Sequence, residues 1–288
     1  MKKAIVVAAA IMLVCLGGIA QATITIEAVT VGDAWNTADT TGYGAVNHNY
    51  NIGKYKVTVD QYVEFLDHHH HSHLSFSPPQ YFWDANHIAR SGSGTDADPY
   101  SYSVDPLYAN NPVIYVSYWD ACRFVNWLGN GQGDGDTETG AYTLDGYNGS
   151  AGGDIIANPG ARWVIPTIDE WYKAAYYRGG TNAGYYDEPT ASAYGTVDQY
   201  GNGWEWSESV VSVGPVDSRI LGGGPVEHEN EKEYKECQLC DPSYRQDPAH
   251  EKIDDGLGFR VAEVPEPSSI IALAGGLISL LGIRRRKA

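Results

Sequence analysis

Hydrophobic residues along this chain switch between a period of two and a period near 3.6, and each switch marks a short strand running into a capped helix. Thr23-Ile24-Thr25-Ile26-Glu27-Ala28-Val29-Thr30-Val31 is rich in β-branched residues and predicts a first strand, and Tyr50 to Val57 predicts a second. Thr58-Val59-Asp60-Gln61 then has the form of a capping box, opening a helix whose apolar positions are Val59, Tyr62, Val63 and Leu66. After a long polar excursion from Asp67 to Asn111, Pro112 to Val116 predicts a third strand. Ser117 caps the next helix, which turns Ala121, Phe124, Val125 and Leu128 inward. Arg162 to Ile165 predicts a short strand stopped by Pro166, and Thr167-Ile168-Asp169-Glu170 is a second capping box, opening a helix to about Tyr177. The acidic pair Asp169 and Glu170 therefore reads as helix-start chemistry rather than a catalytic dyad.

The densest pattern lies at Asp198-Gln199-Tyr200-Gly201-Asn202-Gly203-Trp204-Glu205-Trp206. In an extended segment Trp204 and Trp206 share one face and Glu205 takes the other. A carboxylate there, with Asp198 upstream and the carbonyls of Gly201 and Gly203 between, forms an all-oxygen set of the kind a hard cation such as Ca²⁺ prefers. The plainer reading is a glycine-rich turn into a core strand.

Composition narrows the class. Eight Trp and 21 Tyr in 288 residues supply one sizeable core, while 33 Gly and 14 Pro point to many turns and short elements. Residues 1–22 read as a secretory signal, with Lys2 and Lys3 before an apolar run and Ala20-Gln21-Ala22 as the cleavage pattern, and Cys15 is lost with it. At the other end, Pro265-Glu266-Pro267 precedes the apolar run Ile270 to Ile283 and the basic end Arg284-Arg285-Arg286-Lys287. That run is short for an independent membrane span, which takes about 20 residues. Removing residues 1–22 and 268–288 takes away six of 19 basic residues and none of the 36 acidic ones, so the formal charge moves from −17 to −23. So acidic a surface repels nucleic acid.

Six elements, in order, resemble the formylglycine-generating-enzyme-like (sulfatase-modifying-factor) family. They are the strand-to-helix unit Ile52-Gly53-Lys54-Tyr55-Lys56-Val57-Thr58-Val59-Asp60-Gln61-Tyr62, the helix following Pro112-Val113, Arg162 to Trp171, the Gly-Asn-x-Trp-Glu-Trp-like stretch, Ser218 to Val226, and the closing Ser243-Tyr244-Arg245 and Gly256 to Val261. The resemblance implies a single α+β domain over residues 23–262, related to C-type lectins and with much irregular structure. It also implies a structural Ca²⁺ site at the signature, mapping onto Asp198, Gly201, Gly203 and Glu205. The tail from residue 263 to 288 resembles the PEP-CTERM sorting signal. That implies removal of the leader by signal peptidase, cleavage by an exosortase after transient anchoring by residues 270–283, and delivery to the cell surface or an extracellular polysaccharide matrix.

Enzymes of the resembled family oxidise a sulfatase cysteine with copper and O₂, using a cysteine pair just after their Gly-Gly-Ser-Trp element. Here Pro225 and Val226 stand at the Ser and Trp, and Glu227 to Lys235 contains no cysteine. The later Cys237 and Cys240 are low-ranking catalytic candidates. Their Cys-x-x-Cys spacing is also compatible with a disulfide, or with a Zn²⁺ site completed by His228 and His250. The cluster His68-His69-His70-His71-Ser72-His73 can bind transition metals, and its plainer reading is a solvated insertion. The expected function is a non-catalytic binding or structural module for polysaccharide or matrix components. The alternative is a copper-dependent formylglycine-generating oxidase.

Overall fold

A computed structural model describes residues 24–68, 80–149, 152–178, 181–182, 191–199, 203–213, 216–224, 238–240 and 257–264. Residues 1–22 and 265–288 of the expected processing segments, the histidines 69–71 and 73, Gly201 and Cys237 lie outside the described residues.

Four antiparallel strands join the two ends of the domain. β1 (Ala28–Val31) pairs with β2 (Tyr50–Gly53), with Val29 opposite Ile52. The capping box at Thr58 opens α1 (Val59–Asp67): the Thr58 side chain accepts from the Gln61 amide and the Gln61 side chain accepts from the Thr58 amide. Both strands are shorter than the sequence reading. The polar excursion also holds more order than expected, with a short helix α2 (Gln80–Ala85) and a hairpin of β3 (Ile88–Ser91) and β4 (Ser101–Val104).

The strand expected at Pro112 to Val116 does not form a ladder. Tyr115 has φ +60, which breaks an extended run, and only Pro112 makes an isolated bridge, to Thr58. The backbone is still satisfied: Val113 donates to the Val57 carbonyl at 2.9 Å and Val116 to the Leu257 carbonyl at 3.0 Å. Ser117 then caps α3 (Tyr118–Gly129) as expected, its side chain accepting from the Asp120 amide.

Next come β5 (Trp163–Val164), α4 (Ile168–Tyr176) with the second capping box at Thr167, and the small pair β6 (Tyr177–Arg178) and β7 (Thr181–Asn182). The long hairpin of β8 (Gly203–Val213) and β9 (Val216–Gly224) follows, with β10 (Gln238–Cys240) on its outer side. β11 (Ala262–Glu263) closes the first sheet between β2 and β5, with Ala262 opposite Ile52 and Val164.

The main core lies between α1, α3 and the segment leading into β11. Tyr62 stacks on Phe124 with ring centroids 5.9 Å apart, and Phe259 meets Phe124 edge-on at 5.3 Å. Two buried arginines hold the loops around α3. Arg123 pairs with Glu138, Nε to Oε1 at 2.6 Å, and donates to Asn148 and the Tyr147 carbonyl. Arg219 lies 4.1 Å from the Tyr118 ring centre and donates to the carbonyls of Glu208, Gly152 and Ile155.

Gly258 occupies the narrowest gap. Its amide donates to the Trp204 carbonyl, its carbonyl accepts from the Trp206 amide, and a Cβ there would lie 2.6 Å from the Val113 carbonyl oxygen. The segment 257–261 thus threads between β8 and the 113–116 strip, which delivers Arg260 to the centre of the domain.

Candidate functional site

The stretch singled out in the sequence begins β8, and its alternation is as expected. Trp204 and Trp206 are buried in the main core, and the Trp206 indole donates to the Val116 carbonyl at 2.7 Å. Glu205 turns the other way, yet it too is fully buried. A buried carboxylate must be paired and hydrogen-bonded, and three donors meet this one. Arg260 grips it in a fork, Nε to Oε2 at 2.7 Å and Nη2 to Oε1 at 2.9 Å, and the Trp171 indole donates to Oε2 at 3.0 Å. The Lys56 ammonium, also buried, lies 3.9 Å from Oε1 and donates to the Gly203 carbonyl at 3.2 Å.

Arg260 uses its remaining donors on backbone. Nη1 reaches the carbonyls of Gly53 at 2.7 Å and Lys54 at 3.1 Å, and Nη2 reaches that of Val197 at 3.0 Å. One guanidinium thereby ties β2, the segment before the signature, and β8. Trp171 reaches Glu205 only because Gly222 on β9 has no side chain: a Cβ there would lie 2.5 Å from the indole.

This geometry bears directly on the expected calcium ligands. Asp198 sits at φ +59, partly exposed, and Gly201 lies outside the described residues. Of the other two, Glu205 has both oxygens engaged by donors, and the Gly203 carbonyl is held by Lys56. Two cationic side chains, Arg260 and Lys56, already compensate Glu205. Glu205 and the Gly203 carbonyl are thus already held by donors, and a divalent ion at these two would stand among like charges. Among the described residues no group of three or more His, Cys, Asp or Glu side chains is placed to hold a metal ion.

The other candidates are dispersed. Cys240 ends β10 with its backbone opposite Arg219 of β9, and its partner in sequence, Cys237, lies outside the described residues. Cys122, expected as a small buried hydrophobe, is fully buried on α3, where burial raises its thiol pKa far above the ordinary value. His68 approaches Asp134 at 2.9 Å and Glu64 at 3.5 Å at the end of α1. Glu170 closes the capping box, accepting from the Thr167 amide, whereas Asp169 accepts from the Gly44 amide, 125 residues away in the chain.

Sequence reasoning missed the partners of Glu205 and the pairing of His48 Nε2 with Glu170 Oε1 at 2.9 Å. It also missed a surface cavity of about 370 Å³ lined by Thr25, Tyr55, Asp60, Gln61 and Asn110. The only signal for the first was the run of basic residues around Tyr55 and the closing Gly-Phe-Arg-Val.

Comparison with known proteins agrees with this architecture. The sequence model of the sulfatase-modifying factor enzyme 1-like domain matches residues 9–191, and that of the PEP-CTERM protein-sorting motif matches residues 263–287. No curated protein matches the sequence. Among solved structures, that described as the crystal structure of CarF superposes with a TM-score of 0.51 at 19% identity, covering 83% of this chain and 98% of its own. Treponema denticola variable protein 1 superposes with a TM-score of 0.49 at 18% identity, covering 85% and 99%. The expected α+β fold with few helices and small sheets is the one observed, and the C-terminal motif marks an exported protein sorted to the surface or matrix. Among the described residues no helix is long and apolar enough to cross a membrane. With its family model matched over more than half its length, the chain belongs to the sulfatase-modifying factor enzyme 1-like, or formylglycine-generating-enzyme-like, domain family.

Proposed function

We propose that this exported domain is a non-catalytic binding module whose partner is a polysaccharide of the cell surface or extracellular matrix. The observation that carries the reading is the inward use of charge at the signature. Glu205, Arg260 and Lys56 face one another in the interior and hold three chain segments together, a structural role that leaves their charges for the fold. The sequence supports it from another side, since Glu227 to Lys235 holds no cysteine where the family's oxidases carry their pair. The sorting motif supplies the setting, a surface or matrix. A glycan and polysaccharide array probed with the full chain tests the proposal. Retention by a polysaccharide is expected; failure to bind any, the host's own matrix included, would leave only a structural role.

Family membership supports a second reading, a copper-dependent oxidase acting on a sulfatase cysteine, with Cys237 and Cys240 as the copper ligands. It is tested by copper titration in reductant, followed by O₂ uptake with a Cys-x-Pro-x-Arg peptide. Turnover abolished by Cys237→Ser would establish it in place of the first.

A further inference from the structure

The loop between β1 and β2 holds a tryptophan in solvent at the expense of its backbone. Trp35 is 79% exposed and has φ +69, a conformation that a bulky side chain adopts only where its surroundings impose it. A glycine or an asparagine at this position would relieve both the strain and the exposed apolar surface. The surroundings do impose it. Asp33, itself at φ +54, is fixed by Lys173 Nζ on its carbonyl at 2.9 Å and by the Tyr194 hydroxyl on its carboxylate at 2.9 Å. The Ala34 amide donates to Asn49 Oδ1 at 3.3 Å and the Trp35 amide to the Val46 carbonyl at 2.8 Å. Asn36 bridges the loop through Gly44 and Val46. The indole is thus presented on a braced loop, with no ring partner among the described residues.

What flanks it is polar. The hydrogen bonds from Ala34 and Trp35 lay residues 46–49 alongside, and Asn47 and Asn49 are both exposed. Each amide uses its Oδ1 on a neighbour at the surface, Asn47 on His48 Nδ1 at 2.9 Å and Asn49 on the Ala34 amide. Among the described residues neither Nδ2 has a partner, so two amide donors stand free on the segment that lies alongside the Trp35 backbone.

We propose that Trp35, with Asn47 and Asn49, forms a saccharide-binding site for a neutral polysaccharide. The apolar C–H face of a pyranose ring matches an exposed indole in size and polarity, and its hydroxyls accept from the flanking amides. One exposed ring is far smaller than a stable protein interface, which buries about 800 Å² on each partner. A formal charge of −17 disfavours an acidic polymer. This assignment rests on the polysaccharide-binding reading above and gives it a location.

The test is affinity electrophoresis of the full chain in laminarin, hydroxyethylcellulose, mannan and galactan, with alginate as the acidic polymer. Trp35→Gly is the informative variant, because glycine adopts φ +69 without strain and the fold survives. Retardation by at least one neutral polymer is expected. Trp35→Gly should weaken it by about tenfold and Asn47→Ala with Asn49→Ala by about threefold, with melting temperatures at or above wild type for Trp35→Gly. Binding by Trp35→Gly equal to wild type would overturn the site while leaving the polysaccharide reading intact. Retardation by no neutral polymer would overturn the site, and retardation by alginate alone would overturn the neutral assignment while leaving the polysaccharide reading intact.

Discussion

Arg260 and Glu205 form a two-pronged, fully buried ion pair, with Nε to Oε2 at 2.7 Å and Nη2 to Oε1 at 2.9 Å. The pair joins the C-terminal segment to the first residues of β8, and Lys56 brings the strand-to-helix unit at the start of the domain to the same point. Removing one member strands the other as a buried charge, which costs about 3–5 kcal/mol. Glu205→Gln and Arg260→Met should each lower stability by that order, as read by urea unfolding. Replacing both with apolar residues should cost less than the sum, and additive losses would mean that the two side chains are not coupled.

Gly222→Ala should destabilise by about 1–3 kcal/mol, since the new methyl must displace the Trp171 indole that donates to Glu205. Thermal melting reads the loss. An unchanged midpoint would show that the indole does not lie against β9.

The two capping boxes should each contribute about 1 kcal/mol, lost in Thr58→Ala and Thr167→Ala. These boxes were legible in the sequence because a cap is made within four residues. The alternation of Trp204, Glu205 and Trp206 was legible for the same reason. What Glu205 would bind was not: Arg260 is 55 residues away, and Lys56 reaches Gly203 across 147. An acidic residue among glycine carbonyls reads as a cation site until the fold shows which cations arrive. Tyr115 misled in the opposite sense, since nothing local announces a φ of +60 within an apolar run.

His48 gives the domain a pH-dependent contact. Its hydrogen bond to Glu170 raises the imidazole pKa above 6.5, against the lowering effect of burial and of Lys173. The stabilisation is therefore fully present below pH 6.5 and is lost as pH rises through the higher folded-state value. With the side chain 42% exposed, solvent screening keeps the contribution below about 1 kcal/mol. His48→Gln should flatten the change in melting temperature between about pH 5.5 and 8.5. A variant that melts with the wild-type pH profile would remove the pair from the account of stability.

The use of the signature as an internal clasp is tested most directly by the melting temperature of the full chain in excess EDTA, and again after Ca²⁺ is restored. Because the Glu205 oxygens are held by Arg260 and Trp171, and the Gly203 carbonyl by Lys56, the two midpoints should coincide to about 1 °C. A midpoint that falls in EDTA and recovers with Ca²⁺, in the wild type but not in Glu205→Gln, would contradict the clasp and return the stretch to a metal site.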